Sequence, residues 1–366
     1  MYEIDILQVL WYDDIKFYPD FVDMFDNRII PNTNLKILFV TPYQRVFDEL
    51  KQYKNVKLCT ERQILRLFKK SRWIFLHPLS LSKLKTILLD KKVASKIIWR
   101  TWGHDIRLLN KHDIFHELLF SAYVNKIKQF RAIGVANEID CENVEKVFGS
   151  TVETVTLNYF GTNQKYYSLK KIENEPVENK NQIRIMIGHN GGIADNHFEL
   201  INLMQKFKNE DVVFSFPLSY GDKKRIENIK QYAISKLGAG KCEFIETFVP
   251  FEEYARYVKN IDVALMDQEY SNALGNISIL IYFHKKIYVN DKGDFARSFR
   301  KKGIEVNYTG DIKNQTFEQF YTQGNFQEKY NEYISHGALV EIDATLKKWV
   351  AFINELYGAQ VIKISF

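Results

Sequence analysis

The chain has 366 residues and a formal net charge of +6, with 46% hydrophobic and 26% charged residues. This length exceeds what one hydrophobic core usually supports, so two domains are expected, and the apolar content argues against a disordered or fibrous chain. Three isolated cysteines (Cys59, Cys141 and Cys242) argue against a disulfide framework or a zinc site and fit a reducing cytosol. Neither a long apolar run nor a signal-peptide pattern occurs, so we expect a soluble or peripheral protein.

The first half alternates short apolar runs with helical patterns, which predicts parallel βαβ units in a domain spanning residues 1–168. The predicted strands are 4–10, 36–40, 73–76, 96–99 and 132–136. The predicted helices are 17–25, 46–52, 62–69, 81–90 and 114–130. The polar stretch 168–181, which contains one proline, is predicted to be a linker.

A second alternation predicts another domain at residues 182–338, followed by a helix at about 339–358 that packs back on the first domain. Its predicted strands are 183–187, 212–216, 242–245, 262–266 and 286–289. Its predicted helices are 197–208, 223–236, 251–258 and 276–283. We therefore expect an α/β protein of two doubly wound domains facing a cleft, with ligands beyond the carboxyl ends of the strands.

The segment 182–202 reads as a strand, a glycine turn and a helix. Its turn and helix start contain Gly188, Asn190, Gly191, Gly192 and Asn196. Glycines let the backbone approach a ligand closely, and a helix start presents unpaired N–H groups with a positive dipole end. A diphosphate suits such a turn, although an ordinary strand-to-helix connection would look the same.

Other predicted loops at strand ends of the second half carry polar, aromatic or glycine residues. These residues are Tyr220, Phe248, Asp267, Gln268, Glu269, Gly275, Asn276, Ile277 and Ser278. Because parallel strands end at the same edge of a sheet, these loops can together contact a base, a ribose and two phosphates. No paired aspartates end a strand of this half, so no metal and no other cofactor is predicted.

Strand ends of the first half offer acids and bases. The candidates for a general base are Asp105, His77, Asp14 and His104, with Asp105 preferred. Asp105 could instead cap the following helix, and a lone histidine such as His77 more often packs in a core.

The positive charge is concentrated in residues 51–100, which hold fourteen Lys/Arg and two acidic residues. Apolar residues alternate with these cations, a mixture that suits an anionic membrane surface. A solvated helix face is the ordinary alternative, and no nucleic-acid reader motif accompanies the charge.

Several motifs in this order resemble glycosyltransferase family 56. They are Trp102-Gly103-x-Asp105, Ile187-Gly188-x-Asn190-x-Gly192-x-x-x-Asn196 and Pro217-x-x-Tyr220. The resemblance extends over about residues 4–300. It implies a GT-B fold with two Rossmann-like domains, the acceptor bound by the first and the nucleotide sugar by the second.

The resemblance also implies transfer of a deoxy-acetamido sugar such as N-acetylfucosamine from a TDP-linked donor. The implied acceptor is an undecaprenyl-diphosphate-linked saccharide at the cytoplasmic membrane face, in bacterial surface polysaccharide synthesis. Two departures leave the anomeric course and the acceptor chemistry open: no acid-x7-acid pair is evident, and His104 stands where the family pattern has a small residue.

Two other functions remain open on the sequence alone. An NAD-dependent oxidoreductase would share the glycine turns, but the first strand is not followed by GxGxxG. A non-catalytic nucleotide- or glycan-binding protein of GT-B fold would keep the donor site without needing a base at Asp105.

Overall fold

The computed structural model of the protein describes residues 2–13, 15, 18–79, 83, 91–103, 105–106, 116–159, 163–177, 181–270, 273–322, 328, 331 and 342–364. The chain forms two compact units: unit 1 comprises Met1–Thr162 with Val340–Phe366, and unit 2 comprises Asn163–Leu339.

Unit 1 is built on a parallel sheet of seven strands in the order β3-β2-β1-β4-β5-β6-β7. The strands are β1 (Ile4–Leu10), β2 (Ile37–Thr41), β3 (Val56–Leu58), β4 (Ser71–His77), β5 (Ile97–Arg100), β6 (Ala132–Val135) and β7 (Thr154–Thr156). The helices are α1 (Tyr18–Met24), α2 (Gln44–Leu50), α3 (Glu61–Lys70), α4 (Lys91–Ala94), α5 (His116–Ile127), α6 (Glu138–Phe148) and α14 (Ile342–Tyr357). A π-helical turn at Phe25–Ile29 extends α1.

Both faces of the unit 1 sheet are covered, so the central strands are apolar on both sides. Helices α3, α5 and α6 pack on one face, and α1, α2 and α14 pack on the other. Trp349 of α14 is fully buried among Phe21, Phe25, Phe75 and the ring of His77. The end of the chain therefore completes the core of unit 1.

Unit 2 has a parallel sheet of six strands in the order β10-β9-β8-β11-β12-β13. The strands are β8 (Ile183–Ile187), β9 (Val212–Pro217), β10 (Cys242–Ile245), β11 (Val263–Met266), β12 (Lys286–Val289) and β13 (Asn307–Tyr308). The helices are α7 (Asn163–Glu173), α8 (His197–Met204), α9 (Lys223–Leu237), α10 (Phe251–Lys259), α11 (Leu274–Tyr282), α12 (Asp294–Lys301) and α13 (Phe317–Tyr321). Helix α8 packs on one face of the sheet and α11 on the other.

The fold class matches the expectation, and several boundaries do not. The predicted linker at 168–181 is wrong over its first part, because α7 runs through it. Leu169 and Ile172 lie three positions apart on α7 and are buried against α10 and α11. The charged residues around them made this helical spacing hard to recognise in the sequence. The predicted helix 81–90 lies outside the described residues except for residue 83.

Candidate functional site

The order of strands in unit 2 reverses between β8 and β11, which are neighbours although β9 and β10 lie between them along the chain. From β8 the chain continues to one side of the sheet, and from β11 to the other. A crevice forms where two such connections diverge, and open parallel sheets bind ligands there. The predicted donor-binding residues follow these strands and β9 and β10.

The glycine turn after β8 is held tightly against the start of α8. Gly188 has φ +69°, a conformation that side chains rarely adopt. A β-carbon at this position would lie 2.7 Å from Nε2 of His197 and 2.9 Å from Oδ2 of Asp195. Glycine at 188 is thus required by the backbone and by the packing behind it.

The amides of the glycine turn are bonded within the protein, in contrast to the expectation that they face a diphosphate. Gly188 N donates to the Leu265 carbonyl, and Gly191 N donates to the Tyr220 carbonyl. The amides of His189 and Asn190 donate to Oδ2 of Asp195, at 2.7 and 2.9 Å. Gly192 N donates to Oδ1 of Asn190. In this conformation the turn is a rigid support, which is called the frame below. Because its amides are already bonded, the hydrogen-bond donors for a ligand must come from other groups.

Gly191 also serves a contact between loops. It forms an isolated parallel bridge with Gly221 of the loop after β9. A β-carbon on Gly221, whose φ is +136°, would lie 2.7 Å from the Gly191 carbonyl carbon. The glycines at 191 and 221 therefore allow two backbone segments to touch, which fixes the position of Tyr220.

Asp195 organises the frame. Its Oδ1 accepts a hydrogen bond from Nδ1 of His189 at 2.8 Å and one from Nε2 of Gln268 at 2.6 Å. His189 Nε2 also contacts the side-chain amide of Asn190 at 2.6 Å. Burial alone would raise the pKa of Asp195, but the charge and hydrogen bonds of His189 outweigh it and the pKa is lowered. A buried carboxylate thus holds the turn, the histidine and the loop after β11 together.

Helices α8 and α11 begin without side-chain caps. In each, the residue just before the helix has left-handed backbone dihedral angles. Asn196 (φ 48°) precedes α8, and Ala273 (φ 63°) precedes α11. The Asn196 side chain donates to the carbonyl and to Oδ2 of Asp267, both at 2.9 Å, and not to its own helix. An uncapped helix start leaves amide groups available and carries a positive partial charge. Left-handed non-glycine residues cluster at functional sites.

The loop after β11 contains the three predicted contacts for ribose or sugar hydroxyls. Asp267 is buried, and its Oδ1 accepts from Thr309 Oγ1 at 2.5 Å. Burial raises the pKa of Asp267 from its ordinary value. The Oε1 of Gln268 is buried and has no hydrogen-bond partner in the described part of the chain, whereas the Glu269 side chain is exposed. Glu269 is therefore the loop carboxylate that faces solvent.

At the start of α11 the four predicted residues differ in accessibility. Gly275 is exposed, Asn276 is half-buried and Ile277 is buried in the core. Ser278 Oγ donates to the Leu274 carbonyl at 2.9 Å, the usual back-bond of a helical serine. The backbone at 274–276, and not the Ser278 hydroxyl, is thus the part available to a ligand.

Large apolar side chains are exposed in the loops that follow four strands of unit 2. Tyr220 is 46% exposed and Phe248 is 83% exposed, and Ile193 and Leu274 are also exposed. These loops follow β8, β9, β10 and β11, at the edge where the polar site residues lie. Exposed rings beside uncapped helix starts are suited to a planar base attached to phosphates. Among the described residues, no cluster of three His, Cys, Asp or Glu is placed to hold a metal ion.

In unit 1, Asp105 is 3% exposed and is occupied by hydrogen bonds. Its Oδ2 accepts from Nε1 of Trp99 at 2.9 Å and from the amide of Leu79 at 3.4 Å. Its Oδ1 accepts from the amide of Trp102 at 2.9 Å. The carboxylate therefore holds the loop after β5 in its conformation. This is a structural role like the capping that the sequence offered as the alternative to catalysis.

His77 lies at the end of β4, fully buried. Its Nδ1 contacts the Tyr159 hydroxyl and its Nε2 contacts Oε1 of Gln8, both at 2.6 Å. Burial, with the nearby Arg100, holds the pKa of His77 well below its ordinary value. A neutral ring that donates to Gln8 and accepts from Tyr159 is a core histidine. The other two base candidates, Asp14 and His104, lie outside the described residues.

The basic segment 51–100 separates its apolar residues from its charges. On α3, Ile64 and Phe68 are buried in the core, whereas Arg62, Arg66, Lys69 and Lys70 are exposed. No helix among the described residues has the length and apolar character needed to cross a bilayer. The described part of this segment therefore presents charge, without an apolar stripe.

Sequence reasoning missed Asp195, His189, His197, Arg100 and Tyr159 as members of these networks. A polar Gln8 inside the apolar strand β1 was a usable signal, because a buried amide requires a partner on a neighbouring strand. No sequence pattern identifies Asp195, which accepts from His189 and Asn190 within its own loop and from Gln268 in the loop after β11.

The fold and the site at the reversal of strand order define an α/β protein of the GT-B class. The chain is similar to a glycosyltransferase from Rickettsia africae, with 10% identity, a TM-score of 0.65, and 97% and 99% of the two chains covered. It is also similar to OtsA (10% identity, TM-score 0.61, both chains fully covered). HepE from Anabaena, solved in complex with UDP, matches at 12% identity with a TM-score of 0.58, covering 98% of this chain and 97% of that one. At such identities the likeness shows the fold.

A profile of the family described as 4-alpha-L-fucosyltransferase glycosyl transferase group 56 matches residues 32–330. The chain belongs to glycosyl transferase group 56. It is a glycosyltransferase that transfers a sugar from a nucleotide-sugar donor, which excludes the oxidoreductase and the non-catalytic binding protein considered on the sequence.

Proposed function

We propose that this protein transfers a deoxy-acetamido sugar such as N-acetylfucosamine from a TDP-linked donor to an undecaprenyl-diphosphate-linked saccharide, in bacterial surface polysaccharide synthesis. The observation that carries the donor half of the proposal is the pair of uncapped helix starts at the strand-order reversal of unit 2. The sugar and acceptor are those that the family motifs imply.

The donor diphosphate lies between the starts of α8 and α11 in this proposal. The backbone at Gly275 and Asn276, with the first turn of α8 after Asn196, donates to the phosphates. Gly188, Asn190, Gly191 and Gly192 supply the rigid frame that places α8. HepE in complex with UDP supports a nucleoside diphosphate as the ligand of a related fold.

In this proposal the exposed rings of Tyr220 and Phe248 border the base, and Glu269 faces ribose or sugar hydroxyls. The buried side chains of Asp267 and Gln268 hold the loop that carries Glu269. Oriented helix dipoles stabilise the charge that develops on the leaving diphosphate, which is usually the largest catalytic contribution. The proposal requires no metal ion, because the two positive helix ends supply the compensating charge.

Asp14 and His104 remain the predicted candidates for the general base. Asp105 and His77 have their hydrogen-bonding atoms engaged in the core. We propose Asp105 as a positioning residue that holds the loop from Trp99 to Trp102 at the end of β5.

The proposed location is the cytoplasmic face of the cell membrane, to which the exposed cations of α3 attach the protein. Because the apolar residues of α3 face the core, the attraction is electrostatic, about 1 kcal/mol for each cation near an anionic surface. Binding to vesicles containing anionic lipid is therefore expected to weaken strongly as salt is raised.

The donor assignment is tested by thermal shift with TDP, UDP, GDP and CMP. A ligand that binds only the folded state stabilises it by about 2.7 kcal/mol at a hundredfold excess over its dissociation constant. TDP is expected to raise the melting temperature most. Equal effects of all four nucleotides, or none, would contradict the TDP assignment, and a larger effect of UDP would reassign the base.

A further inference from the structure

Arg100, the last residue of β5 in unit 1, is a buried cation that forms no hydrogen bond with the described residues. The side chain is 2% exposed, and its Nε and Nη1 atoms are both buried and unbonded. Its guanidinium lies 4.4 Å from the centre of the Tyr159 ring. A guanidinium in a protein stays charged, and a buried charge without partners is strongly unfavourable.

The surroundings hold Arg100 in place without neutralising it. Asp140 and Asp105 attract it electrostatically, but no ion pair joins Arg100 to any described residue. Asp140 Oδ2 accepts from the Asn137 side chain, and Asp105 accepts from Trp99 and Trp102. The neighbouring His77 is kept neutral, so no second cation competes for an anion.

The backbone beside Arg100 is shaped to admit its side chain. Arg100 pairs with Gly134 of β6, where a β-carbon would lie 3.2 Å from Cδ of Arg100. Tyr159 is held under the guanidinium by its contact with His77, which in turn contacts Gln8. Four residues from separate elements thus orient a fork of donors whose acceptor is not among the described residues.

We infer that Arg100 binds an oxyanion of the acceptor substrate, either the diphosphate of a lipid carrier or the carboxylate of an acidic sugar. This rests on the proposed function, since it assigns part of the acceptor site. A guanidinium binds both groups through paired N–H donors, and such bonds are strongest away from water. Arg100 lies at the carboxyl edge of a parallel sheet, where ligands of this fold class bind.

The test variant is Arg100→Met, which removes the charge and retains much of the apolar stem. Binding of geranyl diphosphate and of glucuronate is followed by tryptophan fluorescence, since Trp99 and Trp102 adjoin the site. Wild-type protein is expected to bind one of the two probes, and this identifies the group. The variant is expected to bind that probe about 10- to 100-fold more weakly.

Stability separates a ligand role from a structural one. Replacing a buried, unpaired charge by an apolar residue leaves stability unchanged or raises it, so the melting temperature of Arg100→Met is expected at or above that of wild type. A marked fall in melting temperature, unchanged probe binding, or no binding of either probe by wild type would overturn the inference. Arg100→Lys keeps the charge without the planar fork and is expected to bind about tenfold more weakly; undiminished binding there overturns it as well.

Nucleotide binding distinguishes this inference from the proposed function. Arg100→Met is expected to keep the thermal shift that a nucleoside diphosphate gives in wild type, because the donor residues are in unit 2. A wild type without any nucleotide shift contradicts the proposed function. A normal nucleotide shift with probe binding unaffected by Arg100→Met contradicts only the role of Arg100.

Discussion

At the scale of single residues, the proposed donor site depends on groups that hold the loops and do not themselves face the ligand. Asp195 accepts from two amides, from His189 and from Gln268, and Gly188 lies directly against His197. Buried polar networks of this kind rigidify a structure when their members are satisfied, and losing a partner is costly. Substitutions here are therefore expected to affect stability and donor binding together.

Gly188→Ala is expected to lower the urea midpoint of unit 2 and to weaken nucleotide binding. A left-handed alanine costs about 1 kcal/mol, and the new methyl group would displace His197 or Asp195, which adds about 1–3 kcal/mol. The control is Gly303→Ala, since Gly303 has φ +63° and nothing within 4 Å of an added β-carbon. Equal losses in the two variants would show that packing behind Gly188 is unimportant.

His197 predicts a pH dependence of stability. Both of its ring nitrogens are buried without a hydrogen bond to any described residue, and burial lowers its pKa from 6.5 to about 4. Between these values the unfolded state binds a proton that the folded state does not, so acidification favours unfolding. The loss from pH 6.5 to pH 4 is expected to reach about 3 kcal/mol.

The measurement compares urea midpoints of wild type and His197→Leu from pH 7 to pH 4. The variant is expected to lose less stability over this interval. His77, whose pKa is also lowered by burial, changes stability in the same direction, so the difference between the two proteins is the observable. Identical pH profiles would contradict a buried neutral His197.

Asp105→Asn separates positioning from proton transfer. An amide would turn an N–H group toward the donors of Trp99 or Trp102, costing about 2 kcal/mol. A lower melting temperature together with reduced turnover is expected. A general base would instead lose roughly 10² to 10⁴ in turnover at unchanged melting temperature.

At the scale of elements, the backbone conformation at the start of α11 bears directly on the proposed diphosphate binding. Its first turn lacks a cap, and Ala273 before it adopts the left-handed region at φ 63°. Alanine is unfavourable in this conformation, which glycine or asparagine would tolerate better. The cap that would stabilise an isolated helix is absent where the proposed diphosphate binds.

Ala273→Asp is expected to weaken nucleoside diphosphate binding by about tenfold, because the carboxylate repels the phosphates at the helix start. Ala273→Asn has nearly the same shape without the charge and is expected to bind almost normally. Calorimetric titration at low and high salt measures both, and the defect of the aspartate variant should diminish with salt. Equal affinities of the two variants would place the diphosphate elsewhere.

At the scale of the whole molecule, the chain leaves unit 1 at residue 162 and returns to it at 340, so the core of unit 1 depends on both ends of the sequence. Trp349 of α14 is fully buried, and its Nε1 donates to the Asn158 carbonyl at 2.7 Å. Unit 1 therefore cannot complete its core until α14 has been made.

Trp349→Ala is expected to destabilise unit 1 by about 3–5 kcal/mol and to leave unit 2 protected. Hydrogen exchange with mass spectrometry reports the two units separately, and Trp349→Phe, which keeps an aromatic ring, should lose less. Equal deprotection of both units would show that they unfold together.

The sequence by itself determined the two parallel sheets, most strand positions and the four loops that follow strands β8 to β11. Alternation and glycine turns are local, so the pattern around 183–204 is readable without a structure. The short edge strands β3, β7 and β13 were missed because two or three residues carry no period.

Only the tertiary structure decided which polar groups are free. Asp105 and the amides of 188–192 resemble ligand-binding groups in sequence, yet other groups of the protein occupy them, some a few residues away and others, such as the carbonyls of Leu265 and Tyr220, far along the chain. Nε and Nη1 of Arg100, in contrast, have no hydrogen-bond partner among the described residues. Hydrogen-bond satisfaction depends on what folding brings near each atom, and that is a property of contacts between strands and loops. The type of each residue can be read from the sequence, but whether its polar atoms are free to bind a ligand depends on the tertiary contacts.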